Sequence, residues 1–346
     1  MIPQRRGDGH RVVRWLWTSG RPGARAARGI LWPASGLWAA GMAARQALYR
    51  RGWLQTQRLG RPTVAVGNLS VGGSGKTPLA GWVAAHYAAR GLKPGILLRG
   101  VGGDEEVVHR EAVPSAIVVA DADRVAGAVR AIAAGADVLV LDDAYQRLDV
   151  ARDLNICLVA AETSQAVRWL VPAGPWRESI AALRRADLLI VTRKRADADT
   201  ASRLAAELAP QVSGPVAIAR LDLSVLRGLV SGTERPVADL AGRRVVAASA
   251  IADPEAFVAQ VKRTGAQVQV ATWKDHHQFR DEDLAWLAHA ARRADHVVVT
   301  AKDAVKLRDR WPASVPEPLV AMLAVTFEAG EDALRAALDR VVGRAT

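Results

Sequence analysis

The 346-residue chain holds a single cysteine, Cys157, so no internal disulfide can form and a disulfide-stapled scaffold is excluded. A reducing compartment suits such a chain. Cys157 sits in the apolar run from Ile156 to Ala160 and is expected to be a buried strand residue, not a nucleophile. Repeats of solenoid length and low-complexity tracts are lacking, and Gly and Pro are near average, which excludes collagen-like and bulk-disordered chains. The uncharged run at residues 29–44 has 16 residues, about 24 Å as a helix against a hydrocarbon core of ~30 Å. Pro33 shortens its regular part further, so the run is expected not to cross a bilayer.

What is present is a folded composition, with half the residues apolar and enough length for about two domains. The net charge is +12, which by itself admits nucleic acid or an anionic surface as partner. Its location decides between them. Residues 1–61 carry twelve Arg and one acid, Asp8, leaving 35 basic and 34 acidic residues in the remainder. The same segment holds Trp15, Trp17, Trp32, Trp38 and Trp53. Arg with Trp suits a membrane interface, so an anionic membrane surface is expected as partner and nucleic acid is not. The preferred arrangement is an interfacial helix with Leu37, Trp38, Gly41, Ala44 and Leu48 on one side and Arg45, Arg50 and Arg51 at the headgroups. A helix packed on the protein's own core with a solvated basic face is the alternative.

From Arg61 onward, short apolar runs alternate with helical patterns, as in βαβ units of a parallel sheet. The expected fold is α/β: a P-loop NTPase-type parallel sheet flanked by helices, a second smaller α/β unit, and an N-terminal membrane-associated helix. Expected divisions are residues 1–60 for the basic segment, 61–225 for the P-loop core and 226–346 for the C-terminal unit, the polar stretch from Leu226 to Asp239 marking the last boundary.

Thr63 to Gly67 reads as a buried strand, followed by a Gly-rich loop and a helix from Thr77. In Gly72-Gly73-Ser74-Gly75-Lys76-Thr77 the glycines let backbone N–H groups cradle phosphate. Lys76 would neutralise β/γ oxygens and Thr77 would ligate Mg²⁺, which makes ATP and Mg²⁺ the expected cofactors. The strict pattern has Gly where this chain has Ser70; the Gly72-Gly73 pair is expected to supply the flexibility. A nucleotide site so near the N-terminus also disfavours a cleaved signal. Val138 to Asp143 reads as a strand ending in two acids at the same sheet edge. Asp142 and Asp143 are therefore metal-site candidates, with helix capping as the alternative.

Phosphoryl transfer to an alcohol needs a base. Asp104, in the Gly-rich stretch Arg99 to Glu105, is one candidate, and the solvated loop acid is its bland alternative. One His of Lys274-Asp275-His276-His277, before a helix that Asp281 would cap, is another. Zinc would need further ligands that the chain does not offer nearby. Thr300-Ala-Lys302-Asp303 reads as a helix N-terminus, and Pro172 to Glu178 as a rigid loop whose Arg177 can clamp phosphate or pair with Glu178. The residues also admit a membrane-recruited P-loop ATPase switch acting on a protein partner.

Together these segments resemble the tetraacyldisaccharide 4′-kinases (lipid A 4′-kinases) of Gram-negative bacteria. The likeness runs through Ala47 to Gly52, Val66 to Pro78, Gly103 to Glu105, Asp121 to Val125, Asp142-Asp143, Ala151 to Asp153, Leu170 to Glu178, Ala252 to Pro254, Asp275-His276 and Thr300 to Leu307. The resemblance implies ATP-dependent phosphorylation of the 4′-hydroxyl of a tetraacylated glucosamine disaccharide 1-phosphate, a lipid substrate, in lipid A biosynthesis. It implies the cytoplasmic face of the inner membrane and a cleft between two α/β units; a monomer is expected. Carried over by position, Lys76 and Thr77 bind phosphate and Mg²⁺, Asp142 and Asp143 belong to the metal site, and Asp104 with His276 looks like the base and its partner; Arg177, read from its loop, is the expected substrate-binding residue. Two segments depart from the family pattern: Ala144 and Arg147 stand where the family has Gly and His, and the usual Ser-Arg-Gly-Tyr-Gly is Leu98-Arg-Gly-Val-Gly102.

Overall fold

The computed structural model describes residues 8–100, 103–163 and 168–343. Val101 and Gly102 of the Gly-rich stretch, and the first basic pair Arg5 and Arg6, lie outside the described residues. The chain divides into two compact units, one of Val12–Arg220 with the segment from Val325 onward, the other built on Leu221–Ala324. The last helix of the chain thus falls in the larger unit, although in sequence it follows the smaller one.

In chain order the larger unit contains the end of α1 (Asp8–Thr18), α2 (Pro22–Arg50), β1 (Thr63–Asn68), α3 (Lys76–Ala88), β2 (Pro94–Leu98), α4 (Asp104–Ala112), β3 (Ile117–Ala120), α5 (Arg124–Ala133), β4 (Val138–Asp142), β5 (Leu154–Ala160), β6 (Leu188–Arg193) and α6 (Ala198–Leu208). The start of β7 (Val216–Gly228) and, much later, α10 (Glu331–Gly343) complete it. Its strands run in the order β3-β2-β4-β1-β5-β6-β7 and every pairing is parallel. β1, β4 and β5 are buried at every position, as strands covered on both faces by helices must be, and Cys157 is among those buried residues. The cores on the two faces gather Leu97, Leu139, Leu141 and Ala131 on one side and Val159, Leu183, Leu189 and Leu204 on the other.

The smaller unit contains β8 (Glu234–Pro236), β9 (Arg244–Ser249), α7 (Pro254–Arg263), β10 (Gln267–Thr272), α8 (Asp281–Ala291), β11 (His296–Thr300), α9 (Ala301–Leu307) and the first part of β12 (Leu319–Ala329). Its strand order is β10-β9-β11-β12, again parallel. The polar stretch expected as a boundary is instead a hairpin: β7 continues to Gly228 and pairs antiparallel with β8. Beyond Leu221 only Leu226 and Gly228 of β7 are buried, so that half carries no continuous apolar run to announce it.

Three local expectations need correction. α2 runs unbroken through Pro33 for 29 residues. Asp104 and Glu105 begin a helix and do not sit on a loop; three acids in that first turn complement the helix N-terminus. At α8 the N-cap is Arg280, and its backbone N–H is taken by Asp283 at 2.9 Å, so Asp281 is not the cap.

Candidate functional site

The phosphate loop grows out of the carboxyl end of β1. At Gly67 a Cβ would lie 2.5 Å from the Tyr145 backbone N, so only glycine lets the chain after β4 cross so closely. Ala144 N donates to Val66 O there at 3.1 Å. Asn68 then braces the loop from within, its Nδ2 donating to Ser70 O and Ser74 Oγ at 2.7 Å each. Thr192 Oγ1 donates to Ser74 O at 2.9 Å, and Lys194 Nζ donates to Gly73 O. Gly72 and Gly75 take left-handed φ values of +124° and +87°, whereas Ser70 does not. Ser70 instead makes an antiparallel bridge with Trp176, so its departure from the strict loop pattern falls where no left-handed residue is needed. Lys76 and Thr77 form the first turn of α3, where unpaired N–H groups and the helix dipole favour an anion.

β4 lies beside β1 with Val66 opposite Asp142, which sets both acids at the mouth of the loop. They face different partners. Asp143, at φ +50°, lies with Oδ1 3.7 Å from Lys76 Nζ and 3.1 Å from Arg177 Nη1. Asp142 is buried, with Oδ2 3.0 Å from His109 Nε2. A turn, not a helix, follows the pair, so neither acid serves as a helix cap. Arg177 points to Asp143 and not to Glu178, which is held by Arg185 at 2.8 Å and Gln46 at 2.6 Å. Among the described residues no group of three or more His, Cys, Asp or Glu converges on a metal position. The available donors are the Thr77 hydroxyl and two carboxylates, hard oxygens that leave the remaining positions to phosphate and water, which fits Mg²⁺.

Asp104 opens α4 and is only 2% exposed, so the solvated-acid alternative does not describe it. The two histidines separate clearly. His277 Nε2 lies 2.8 Å from Asp283 Oδ2 and its ring stacks near Trp273, whose Nε1 donates to the same carboxylate. That makes His277 part of the fold. His276 adopts φ +57° and presents a ring 43% exposed on its side chain, 3.9 Å from the Asp275 carboxylate. Asp104 belongs to the larger unit and His276 to the smaller.

α2 fastens the Arg177 loop. Ser35 Oγ donates to Leu170 O at 2.9 Å, and Trp38 Nε1 donates to Arg177 O at 2.8 Å. Arg45 Nη1 donates to Gln146 O at 2.8 Å, while Gln146 Nε2 donates to Asn68 O. Arg45 and Trp38 were expected at a membrane interface; their polar groups are engaged by the protein itself. α2 nevertheless keeps Ile30, Trp32 and Leu37 exposed, at 80%, 65% and 77%. Among the described residues no helix is long and apolar enough to cross a membrane.

Sequence reasoning missed Asn68, Thr192, Lys194, His109 and Gln146. Lys194 had a usable signal, since it follows a strand whose end lies on the P-loop edge; the others need contacts across the fold. Arg147, in place of the family His, pairs with Asp149 at 2.7 Å and donates to Ala122 O at 3.3 Å, while Ala144 is fully buried. Arg124 is buried with Nη1 on Asp121 O, and burial next to Arg147 draws its pKa down.

A family model described as tetraacyldisaccharide-1-P 4′-kinase matches residues 27–110 and 101–343. A tetraacyldisaccharide 4′-kinase of Anaeromyxobacter sp. (strain Fw109-5) is 35% identical, the alignment covering 96% of this chain and 97% of that protein. Another, from Xanthomonas euvesicatoria pv. vesicatoria, is 33% identical over 81% of this chain and 85% of its own length. Among solved structures, LpxK from Aquifex aeolicus in complex with ATP superposes with a TM-score of 0.71 at 26% identity, covering 91% of this chain and 99% of that one.

Proposed function

The chain belongs to the tetraacyldisaccharide-1-P 4′-kinase family, and on that premise we propose that it transfers the γ-phosphate of ATP, with Mg²⁺, to the 4′-hydroxyl of a tetraacyl glucosamine disaccharide 1-phosphate, a step of lipid A biosynthesis. The observation that carries the chemistry is the convergence of Lys76 and Arg177 on Asp143 at the mouth of the P-loop. Family membership favours this reading over an ATPase switch acting on a protein partner.

The P-loop from Gly72 to Thr77 holds the triphosphate through its N–H groups. Lys76 and Arg177 exchange Asp143 for phosphate oxygens, so that Asp143, with Asp142 and the Thr77 hydroxyl, would be available to hold Mg²⁺. The metal, when bound, neutralises charge on the β and γ oxygens. Asp104 accepts the proton of the attacking 4′-hydroxyl, a role that its burial supports; the family resemblance gives His276, part-exposed at φ +57°, a role in the same reaction. Arg177 also guides the acceptor.

The exposed Ile30, Trp32 and Leu37, with exposed Arg25, Arg50 and Arg51 on the same helix and just beyond it, support a peripheral seat at the anionic cytoplasmic face of the inner membrane. That surface, not nucleic acid, is the partner of the basic N-terminus. One copy carries the whole loop and both acids, which supports action as a monomer. Incubation with γ-labelled ATP and disaccharide 1-phosphate lipid, followed by positional analysis of the product, tests the proposal: label at the 4′ oxygen is expected, and its absence beside an active relative overturns it.

A further inference from the structure

His109 has no place in the chemistry above, yet it joins three of its parts. It lies in α4, the helix that opens with Asp104, and its ring is 1% exposed. Nε2 is 3.0 Å from Oδ2 of Asp142. Nδ1 faces α3, the P-loop helix, where a Cβ on Gly81 would lie 3.9 Å away, and it is buried with no hydrogen-bond partner among the described residues. A carboxylate accepts only, so the short contact is a hydrogen bond donated by Nε2–H to Oδ2. A larger residue at position 81 would meet the imidazole, so the approach of α3 to α4 suits the ring's position.

We infer that His109 is a positioning residue: through its Nε2–H it fixes the rotation of the Asp142 carboxylate and so holds the acid pair in register with the P-loop and with Asp104. Left alone, an Asp at a strand end turns about χ2 over a broad range. A donor on Oδ2 stops that rotation and directs the other oxygen to one place. Hydrogen bonds of this kind behind a ligating group are worth about 10–100-fold in metal affinity or activity. Asp142 and His109 are 33 residues apart in sequence, so the contact also ties the last turn of α4 to the end of β4.

This inference rests on the reading of Asp142 as a metal-facing carboxylate, and the experiment separates the two. The full-length protein binds a fluorescent ATP analogue with and without Mg²⁺, and Mg²⁺ half-saturation is read from both binding and turnover. In H109L the Mg²⁺ concentration for half-saturation rises about tenfold or more, while affinity for the analogue without Mg²⁺ stays within twofold and turnover recovers at high Mg²⁺. H109Q, whose amide Nε2 can donate from nearly the same place, recovers most of the Mg²⁺ response. H109N, whose donor is one methylene shorter, does not, and this polar pair decides the matter if H109L does not fold. Unchanged Mg²⁺ half-saturation in folded H109L and H109N overturns the inference, as does equal loss of nucleotide binding with and without Mg²⁺, the mark of a merely structural role. D142N is the control: if it leaves Mg²⁺ half-saturation unchanged, the metal-site reading itself fails; if it abolishes the response while H109N does not alter it, only the role of His109 falls.

Discussion

The P-loop edge and α2 depart from the usual distribution of residues in opposite directions. At the P-loop edge charge is taken inside: Asp104 and Asp142 are buried, and Asp143 is bracketed by two cations. On α2 hydrocarbon is left outside at Ile30, Trp32 and Leu37, while its polar atoms at Ser35, Trp38 and Arg45 are spent on the protein body. A buried carboxylate costs several kcal/mol unless it is partnered, and each exposed large side chain forgoes about 1.5–3 kcal/mol of burial. Neither arrangement is what folding alone would select. Each makes sense against a second phase that completes it, phosphate and metal in one case and lipid in the other.

The sharpest way to break this comparison is at Asp104. Asp104→Asn keeps size and helix start but removes the basic group, so kcat is expected to fall by roughly 10²–10⁴-fold with the melting temperature raised or unchanged. A fall in stability with kcat preserved would make Asp104 an ordinary helix-start acid. Lys76→Ala follows, with a loss of roughly 10²–10³-fold in kcat and weakened nucleotide binding; Asp143 keeps Arg177, so the fold should hold. Normal turnover by this variant would remove the phosphate role.

On α2 the expected effects are smaller and appear in a different assay. Leu37→Asp or Ile30→Asp removes apolar surface that touches no core, so partition into anionic vesicles should drop roughly tenfold or more per site. Melting temperature and turnover of a detergent-dispersed lipid should stay near those of the parent. Ser35→Ala and Trp38→Phe act on the other edge of the same helix: vesicle binding is kept, while loss of the bonds to Leu170 and Arg177 costs a few-fold in turnover. If both pairs of variants affect vesicles alike, the two edges are not distinct.

How much of this was readable in the sequence follows the range of the interactions. The strands of the larger unit were legible because parallel strands covered on both faces must be apolar throughout, and the loop from Gly72 to Thr77 because its glycines, Lys76 and Thr77 stand within six consecutive residues. The start of α4 was not, since Gly-Gly before three acids has the composition of a loop, and only the complement of acids to the helix N-terminus reverses that. The His109–Asp142 and Trp38–Arg177 contacts span 33 and 139 residues, beyond any periodicity. The separation of His276 from His277 likewise depended on Asp283 and Trp273 claiming one ring.

The smallest effect concerns Glu162, which holds the segment carrying Lys194 against the P-loop edge. Its Oε1 accepts from Lys194 N at 2.6 Å, Arg195 N at 2.9 Å and Ala196 N at 3.3 Å. Burial pushes its pKa up, but these backbone donors outweigh it and the net direction is down. A carboxyl whose folded pKa is lowered stabilises the fold above its ordinary value of 4.5, and that contribution is lost as the pH falls through the folded value. Glu162→Gln keeps an acceptor but loses the charge, costing about 1 kcal/mol near neutral pH, a fall of roughly 2–4 °C in melting temperature. Melting curves taken stepwise below pH 4.5 should show the parent descending toward the variant until the gap closes. A gap that persists where the carboxyl is fully protonated would mean that shape, and not charge, is what Glu162 supplies to this edge, and it would leave the contrast with α2 to Asp104, Asp142 and Asp143 alone.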